Sequence, residues 1–237
     1  MKIHPVHTGL FKERDDLPYF IFQHIPELRE SSVLAVTSKI VALSEGRVAN
    51  ARDKEKLIKK ESEWQLQTHP EWWWTEKDGA LLVNAGIDDS NAGPSTPLGV
   101  NKLVLLPKDS YKSAQNLRVQ LQKLYKVKLM GVVITDSRIS PMRAGVTGLA
   151  LGYAGFRGVR DYRGKPDIFG KKLNVTMTDV ADSLATAAVL VMGEGAEQQP
   201  LAIIEDAPIE FVDQVDPKEV QIPREEDMYA PLFRRVE

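Results

Sequence analysis

Cysteine is absent from the 237-residue chain. With it go disulfides, thiolate metal sites and a cysteine nucleophile; the absence fits a reducing compartment, and a cytoplasmic protein is expected. Long hydrophobic runs are missing too. No segment approaches the roughly 18 apolar residues that a membrane span requires, and the opening "MKIHPVHTGLF" has no apolar signal core with a small-residue cleavage site. Neither sign of charge dominates: 31 basic and 33 acidic residues leave a formal net charge of −2, so no whole-chain field draws the protein to a nucleic-acid backbone or an anionic membrane. The expected partner is a small molecule. Histidine is scarce, and the four present, His4, His7, His24 and His69, read as structural or exposed groups rather than bases.

What is present is an ordinary globular composition, 43% hydrophobic, over a length that suits one large domain or two small ones. Short β-branched runs alternate with a few helical patterns. Residues 33–36, 103–106, 132–135 and 201–204 read as buried strands. "ARDKEKLIKKESEWQL" reads as a helix with Leu57, Ile58, Glu61 and Trp64 on one side and a solvated lysine face. A clearer helix, capped by Ser110 or Ser113, places Ala114, Leu117, Leu121, Leu124 and Tyr125 on one face. Another runs from about residue 179 to 191 and stops at Gly193. Trp72, Trp73 and Trp74 cannot all enter one core from a helix or a strand, so at least one belongs at a surface, with an edge strand or subunit contact as the expected setting.

Chemistry concentrates at strand ends. "VNAGIDDSN" closes an apolar strand with Asp88, Asp89, Ser90 and Asn91, a composition that suits either a turn or a cation site. "MGVVITDSR" is a second buried strand, ending in Asp136 and Ser137. If the two strands are neighbours, their acids share a crevice and can hold Mg²⁺ or Mn²⁺ together with phosphate. A third strand ends in Thr37, Ser38 and Lys39, two hydroxyls and an amine that can meet a phosphate. Glu194, between two glycines, is either an exposed turn residue or a carboxylate free to swing onto a phosphate-bound cation. In the glycine-rich stretch that follows residue 142, Arg143, Arg157, Arg160 and Arg163 could clamp anions. That stretch contains neither G-x-x-x-x-G-K-S/T nor a strand-linked G-x-G-x-x-G.

Read in order, "VTSKIVALSEGR", "NAGIDDSN", "LLPKDSYKSA", "GVVITDS", "GKPDIFGKKL" and "VADSLATAAVLVMGEG" resemble the F420-0 gamma-glutamyl ligases over roughly residues 3–205. The resemblance implies an α+β fold unlike the usual nucleotide-binding folds, with mixed sheets, few helices and an intertwined homodimer. It implies one catalytic domain over residues 1–237, divisible into two subdomains, with 206–237 as a C-terminal extension. The activity implied is a GTP-dependent joining of L-glutamate to a carboxylate acceptor, the F420 precursor, through an acyl phosphate, with Mg²⁺ or Mn²⁺ and a potassium ion.

Carried across by residue, the family's catalytic positions fall on Asp88, Asp136 and Arg143, and its metal ligands on Asp88, Asp136, Ser137 and Glu194. Its nucleotide contacts fall on Gly9, Leu10, Phe11, Lys12, Ser38, Lys39 and Asn91. They continue through Met192, Gly193, Gly195, Ala196, Glu197, Gln198 and Gln199. Two departures stand out. Leu43 replaces a common family lysine, and Ile139 with Ser140 replaces a glycine–arginine pair, so the pocket beyond the metals is expected to be less basic. Arg138 is the candidate for a displaced guanidinium. Three other readings compete: the same ligation on a different acceptor, a metal-dependent nucleotide phosphohydrolase, and a nucleotide-binding regulator without catalysis.

Overall fold

The structure is a computed structural model describing residues 1–90 and 101–233. In chain order the first half runs β1 (Lys2–Val6), α1 (Leu17–His24), β2 (Ser32–Thr37), α2 (Ser38–Ser44), β3 (Val48–Asn50), α3 (Lys54–Glu61), β4 (Trp64–Gln67), β5 (Trp73–Lys77), β6 (Ala80–Val83) and β7 (Lys102–Val104). The second half runs α4 (Ser110–Tyr125), β8 (Met130–Ile139), β9 (Val146–Ala154), β10 (Val159–Asp161), β11 (Met177–Asp179), α5 (Val180–Met192) and β12 (Leu201–Glu205). This is the expected α+β architecture with mixed sheets and, among the described residues, five α-helices. No helix among them is long and apolar enough to cross a membrane.

A central sheet of order β1-β12-β2-β8-β9 organises the molecule, antiparallel throughout except for the parallel pair β2–β8. Both of those strands are covered on two faces, which is why they read as unbroken apolar runs rather than alternating ones. Leu34, Val36, Val132 and Ile134 pack with Leu17, Ile21, Leu117 and Leu121 of α1 and α4. On the other side Val33, Ala35 and Val133 meet Ala181, Leu184, Ala185 and Ala188 of α5. Two glycines of β9 let the helices approach: a Cβ at Gly148 would stand 2.4 Å from the Ala185 carbonyl oxygen, and one at Gly152 would stand 2.4 Å from the Ser110 carbonyl carbon. A register shift between Ile134 and Thr135 separates the two, so that one faces α5 and the other α4.

Several sequence expectations change here. The helix read over residues 51–66 ends at Glu61: Ser62 turns extended, its hydroxyl donates back to the Ile58 carbonyl (2.6 Å), and Trp64 pairs with Glu76 in a strand instead. Tertiary strand pairing overrides helix propensity there. Trp72 is exposed as expected, but Trp73 is buried and β5 is the middle strand of the β4-β5-β6 sheet, not an edge. The cap of α4 is Asp109, whose carboxylate accepts from the Lys112 N–H (2.9 Å), rather than Ser110 or Ser113. Most consequential, β6, which leads to Asp88, is not a neighbour of β8. The partner of β8 at the site is β2.

The small sheet is tied to the body from two sides. Residues after β12 cross the α5 face with Ile209, Phe211 and Val220 packed against it, and Glu219 accepts from the Tyr153 hydroxyl (2.7 Å) and the Gly158 N–H (2.6 Å). The Gln221 amide then donates to the Asp78 carbonyl (3.1 Å), and Arg224 pairs with Glu76. On the inner side Glu61 accepts from Arg47 (2.7 Å) and from the buried Lys77 (3.1 Å). Burial pushes the Glu61 carboxyl up, but hydrogen bonds from Lys77 and Arg47 more than offset this and hold it below the usual carboxylate range.

Removing the Glu61 carboxylate leaves the buried Lys77 ammonium only the Glu61 carbonyl (3.4 Å) and Asp78 at 3.9 Å, so Glu61→Ala is expected to cost about 3 kcal/mol in urea unfolding at neutral pH. Because the folded pKa is depressed, the stabilisation is complete above the ordinary glutamate pKa and is lost as pH falls through the folded value. The gap between wild type and Glu61→Ala should therefore close on acidification. A gap that persists unchanged in acid would show that the pair contributes nothing.

Candidate active site

Parallel pairing in register carries β2 and β8 out of the sheet together, with Thr37 opposite Thr135 as the last pair. The next residues meet: the Ser38 hydroxyl donates to Asp136 Oδ2 (3.1 Å), while the Ser137 N–H holds Asp136 Oδ1 (2.8 Å). Burial pushes the Asp136 carboxyl up to about 6, against the pull of those two hydrogen bonds and of the Lys39 charge.

Asp88 arrives by another route. After β6 the chain enters a 3₁₀ turn, Asn84–Gly86, in which all three residues are left-handed, with φ of 54°, 54° and 67°. Asn and Gly tolerate this conformation; Ala85 does so at a cost of roughly 1–3 kcal/mol. Clamps hold the turn: Asn84 Oδ1 accepts from the Trp73 N–H (2.9 Å) and Thr75 Oγ1 from the Ala85 N–H (2.7 Å). Asp88 then exchanges both backbone hydrogen bonds with Val104 of β7 (3.1 and 2.9 Å). This fixes its carboxylate beside α2, where Lys39 Nζ donates to Asp88 Oδ2 (2.7 Å), the Ser90 carbonyl (2.5 Å) and Ser90 Oγ (3.1 Å). Burial pushes Asp88 up, but its bonds to Lys39 and Ser90 leave it below the ordinary aspartate range.

The third acid comes from the loop after α5. Gly193 ends that helix with φ 81°, and Glu194 follows with its carboxyl raised by partial burial, against a hydrogen bond with Ser137. The loop is folded by Glu197, which accepts from the Gly195 N–H (2.7 Å), and is stitched to the sheet by Thr37 N–H to the Pro200 carbonyl (3.0 Å). The N-terminal segment docks beside it through Thr8 N–H to the Gln198 carbonyl (2.9 Å). His24 is structural, as expected: Nε2 accepts from the Gly9 N–H (3.1 Å) and Nδ1 lies 2.8 Å from the Phe20 carbonyl.

These elements enclose a cleft of about 350 Å³. Ser38, Lys39, Asp88, Asp136, Ser137 and Glu194 line it and are linked to one another by hydrogen bonds and charge, and Gly9, Leu10 and Phe11 line it with Met192, Gly193, Gly195, Ala196, Glu197, Gln198 and Gln199. Leu43, Val104, Leu105 and Leu106 form an apolar wall. Among the described residues no group of three or more His, Asp or Glu side chains is placed to hold a metal ion.

Other expected residues stand elsewhere. Lys12 is exposed, with its N–H on Asp15 (2.9 Å) and no part in the lining. Arg143 lies exposed between β8 and β9. Arg138 does not reach the cleft, because it pairs with Asp182 of α5 (2.9 Å). Arg157 pairs with Glu210, Arg160 with the Pro208 carbonyl and Arg163 with Asp161, so they build no anion clamp at the cleft. Asn91 lies outside the described residues. Sequence reading missed Thr8, Pro200 and the Leu105–Leu106 wall, none of which carries a local chemical signal.

Comparison with known proteins gives the family. The family described as F420-0:Gamma-glutamyl ligase matches residues 5–206. A coenzyme F420:L-glutamate ligase of Methanopyrus kandleri is 34% identical over 209 residues, covering 80% of each chain. Another protein of that name, from Archaeoglobus fulgidus, is 31% identical over 95% of this chain and 94% of its own. One from Methanococcus maripaludis is 37% identical over 73% of this chain and 66% of its own. With the family match spanning most of its length, the chain belongs to the F420-0:Gamma-glutamyl ligase family.

Proposed function

We propose that the cleft joins L-glutamate to a carboxylate acceptor at the expense of GTP, the acceptor being the F420 precursor F420-0, after which the family is described. The observation that carries this reading is the convergence of one ammonium, two hydroxyls and three carboxylates, in mutual contact or charge range, in the lining of a partly apolar cleft. A carboxylate cannot be attacked by an amine directly, since oxide is a poor leaving group. The γ-phosphoryl of GTP therefore passes to an acceptor carboxylate oxygen and GDP departs. The neutral amine of glutamate then adds to the acyl phosphate, phosphate leaves with the carbonyl–oxygen bond, and the amine proton passes to solvent.

Lys39 and Ser38 bring an ammonium and a hydroxyl that phosphate oxygens can draw from Asp88, Ser90 and Asp136, while Phe11 and Leu43 offer apolar surface to a planar part of the nucleotide. A divalent cation fits the donor set: Asp88, Asp136, Glu194 and Ser137 present only hard oxygens, and Mg²⁺ takes one or two carboxylates with phosphate oxygens completing its shell. When bound, it would neutralise the charge that builds on phosphoryl transfer. No protein nucleophile enters the scheme. Among the described lining residues Lys39 is the one Lys or Arg, which supports the expectation of a less basic pocket. A cytoplasmic homodimer belongs to the same proposal, and Met142, Ile168 and Phe169 offer exposed apolar surface for a second copy.

Purified protein with GTP, Mn²⁺, glutamate and the precursor should release GDP only when both co-substrates are present. Release with water alone would make it a phosphohydrolase, and nucleotide binding without any turnover a regulator. Asp88→Asn and Asp136→Asn should each lower the rate at least about 100-fold. Asp136→Asn should also melt no lower than the metal-free wild type, because burial disfavours the charge it removes. Near-normal turnover by either variant at limiting Mn²⁺ would overturn the assignment.

A further inference from the structure

Lys39 is anchored more completely than a phosphate ligand in waiting need be. Its ammonium has three donors, and three oxygens take them: Asp88 Oδ2 at 2.7 Å, the Ser90 carbonyl at 2.5 Å and Ser90 Oγ at 3.1 Å. Carboxylate, carbonyl and hydroxyl are the oxygen types that a hard metal cation collects. The cradle is rigid from below, since Ser90 N–H binds Asp88 Oδ1 (2.9 Å), Ser90 Oγ reaches back to Asp88 Oδ2, and Asp88 is locked to Val104 on both backbone groups. Lys39 is three-quarters buried, with its side chain 23% exposed, and it rises from the first turn of α2. The charges of Asp136 and Glu194 also act on it and on Asp88.

We infer that the Lys39 ammonium is a resident counter-ion in the oxygen cradle of Asp88 and Ser90, so that it competes with a free divalent cation until a polyphosphate draws it away. An ammonium and a divalent ion cannot share Asp88 Oδ2 without strong repulsion. Nor can Lys39 serve a phosphate while all three of its donors are engaged. A nucleoside triphosphate provides the exchange: its oxygens accept the ammonium, the cradle opens, and the cation enters with the phosphates it neutralises. Cation and nucleotide then bind with positive coupling, and by linkage each raises the affinity of the other by the same factor. A metal-loaded, nucleotide-free state is disfavoured. The inference rests on the proposed nucleotide site but not on the amide-forming step.

The test is Mn²⁺ binding to the full chain without nucleotide, read from the electron paramagnetic resonance signal of free Mn²⁺. Lys39→Met keeps the aliphatic stem and removes the charge; Lys39→Gln is the second variant, and thermal melting establishes that each is folded. Both should bind Mn²⁺ about tenfold or more tightly than wild type, the size of one charge-assisted contact released for the metal. Adding Asp88→Asn to Lys39→Met should abolish the gain, which locates it at the cradle. In wild type, Mn²⁺ should strengthen binding of a non-hydrolysable GTP analogue, and in Lys39→Met that enhancement should shrink. Folded Lys39 variants that bind Mn²⁺ no better than wild type would overturn the inference. A gain in Mn²⁺ affinity with no amide formation by wild type would instead leave it standing and remove the ligase reading.

Discussion

The parallel pairing of β2 with β8 is the constraint on which the site depends. Both strands are buried on two faces, so their register is fixed by helices on each side as well as by the hydrogen-bond ladder. Sharing that register, Thr37 and Thr135 end together, and the chain beyond them must deliver Ser38 and Lys39 beside Asp136 and Ser137. A slip of one residue would turn every side chain of a strand to the opposite face and separate the Ser38 hydroxyl from Asp136. The antiparallel β12 on the other edge of β2 brings the glycine loop of Glu194 to the same end, through the bond from Thr37 to Pro200.

Asp88 is added to this frame from outside the central sheet, by a strained turn and a two-bond bridge to Val104 of β7. Three successive left-handed residues reverse the chain after β6, and side chains from β5 and the turn itself over-determine that conformation. The resulting electrostatics are uneven in a useful way. Asp88 is held ionised by Lys39, whereas the more enclosed Asp136 is pushed toward its neutral form. A single ammonium faces three carboxylates, and the proposed exchange of lysine for a cation draws on that imbalance of charge.

Much of this was legible in the residues, and the physical reason differs from element to element. The runs at residues 33–36 and 132–135 announced doubly covered strands, and Gly193 announced the end of α5, because burial and backbone freedom are local properties. Strand adjacency is not local. The sequence left open whether Asp88 and Asp136 end neighbouring strands, and the structure pairs β8 with β2 and brings Asp88 in over β7. Trp64 matched a helical face but answers to Glu76 and Arg224 across the small sheet. Arg138 had the right chemistry for an anion, yet Asp182, distant in sequence, claims it. The family resemblance named the acids, Ser38, Lys39 and the glycine loop together, and these do line one cleft; Lys12 and Arg143 do not join them.

Phosphorylation of the acceptor carboxylate is the step on which the proposed ligation turns. Its most direct measurement uses an acceptor labelled with ¹⁸O in the reacting carboxylate, incubated with GTP, glutamate and Mn²⁺, followed by mass spectrometry of the released phosphate. Transfer of one labelled oxygen to phosphate for each amide formed is the result expected of an acyl phosphate. Unlabelled phosphate, released at the same rate with or without glutamate, would contradict the claim and leave a nucleotide hydrolase.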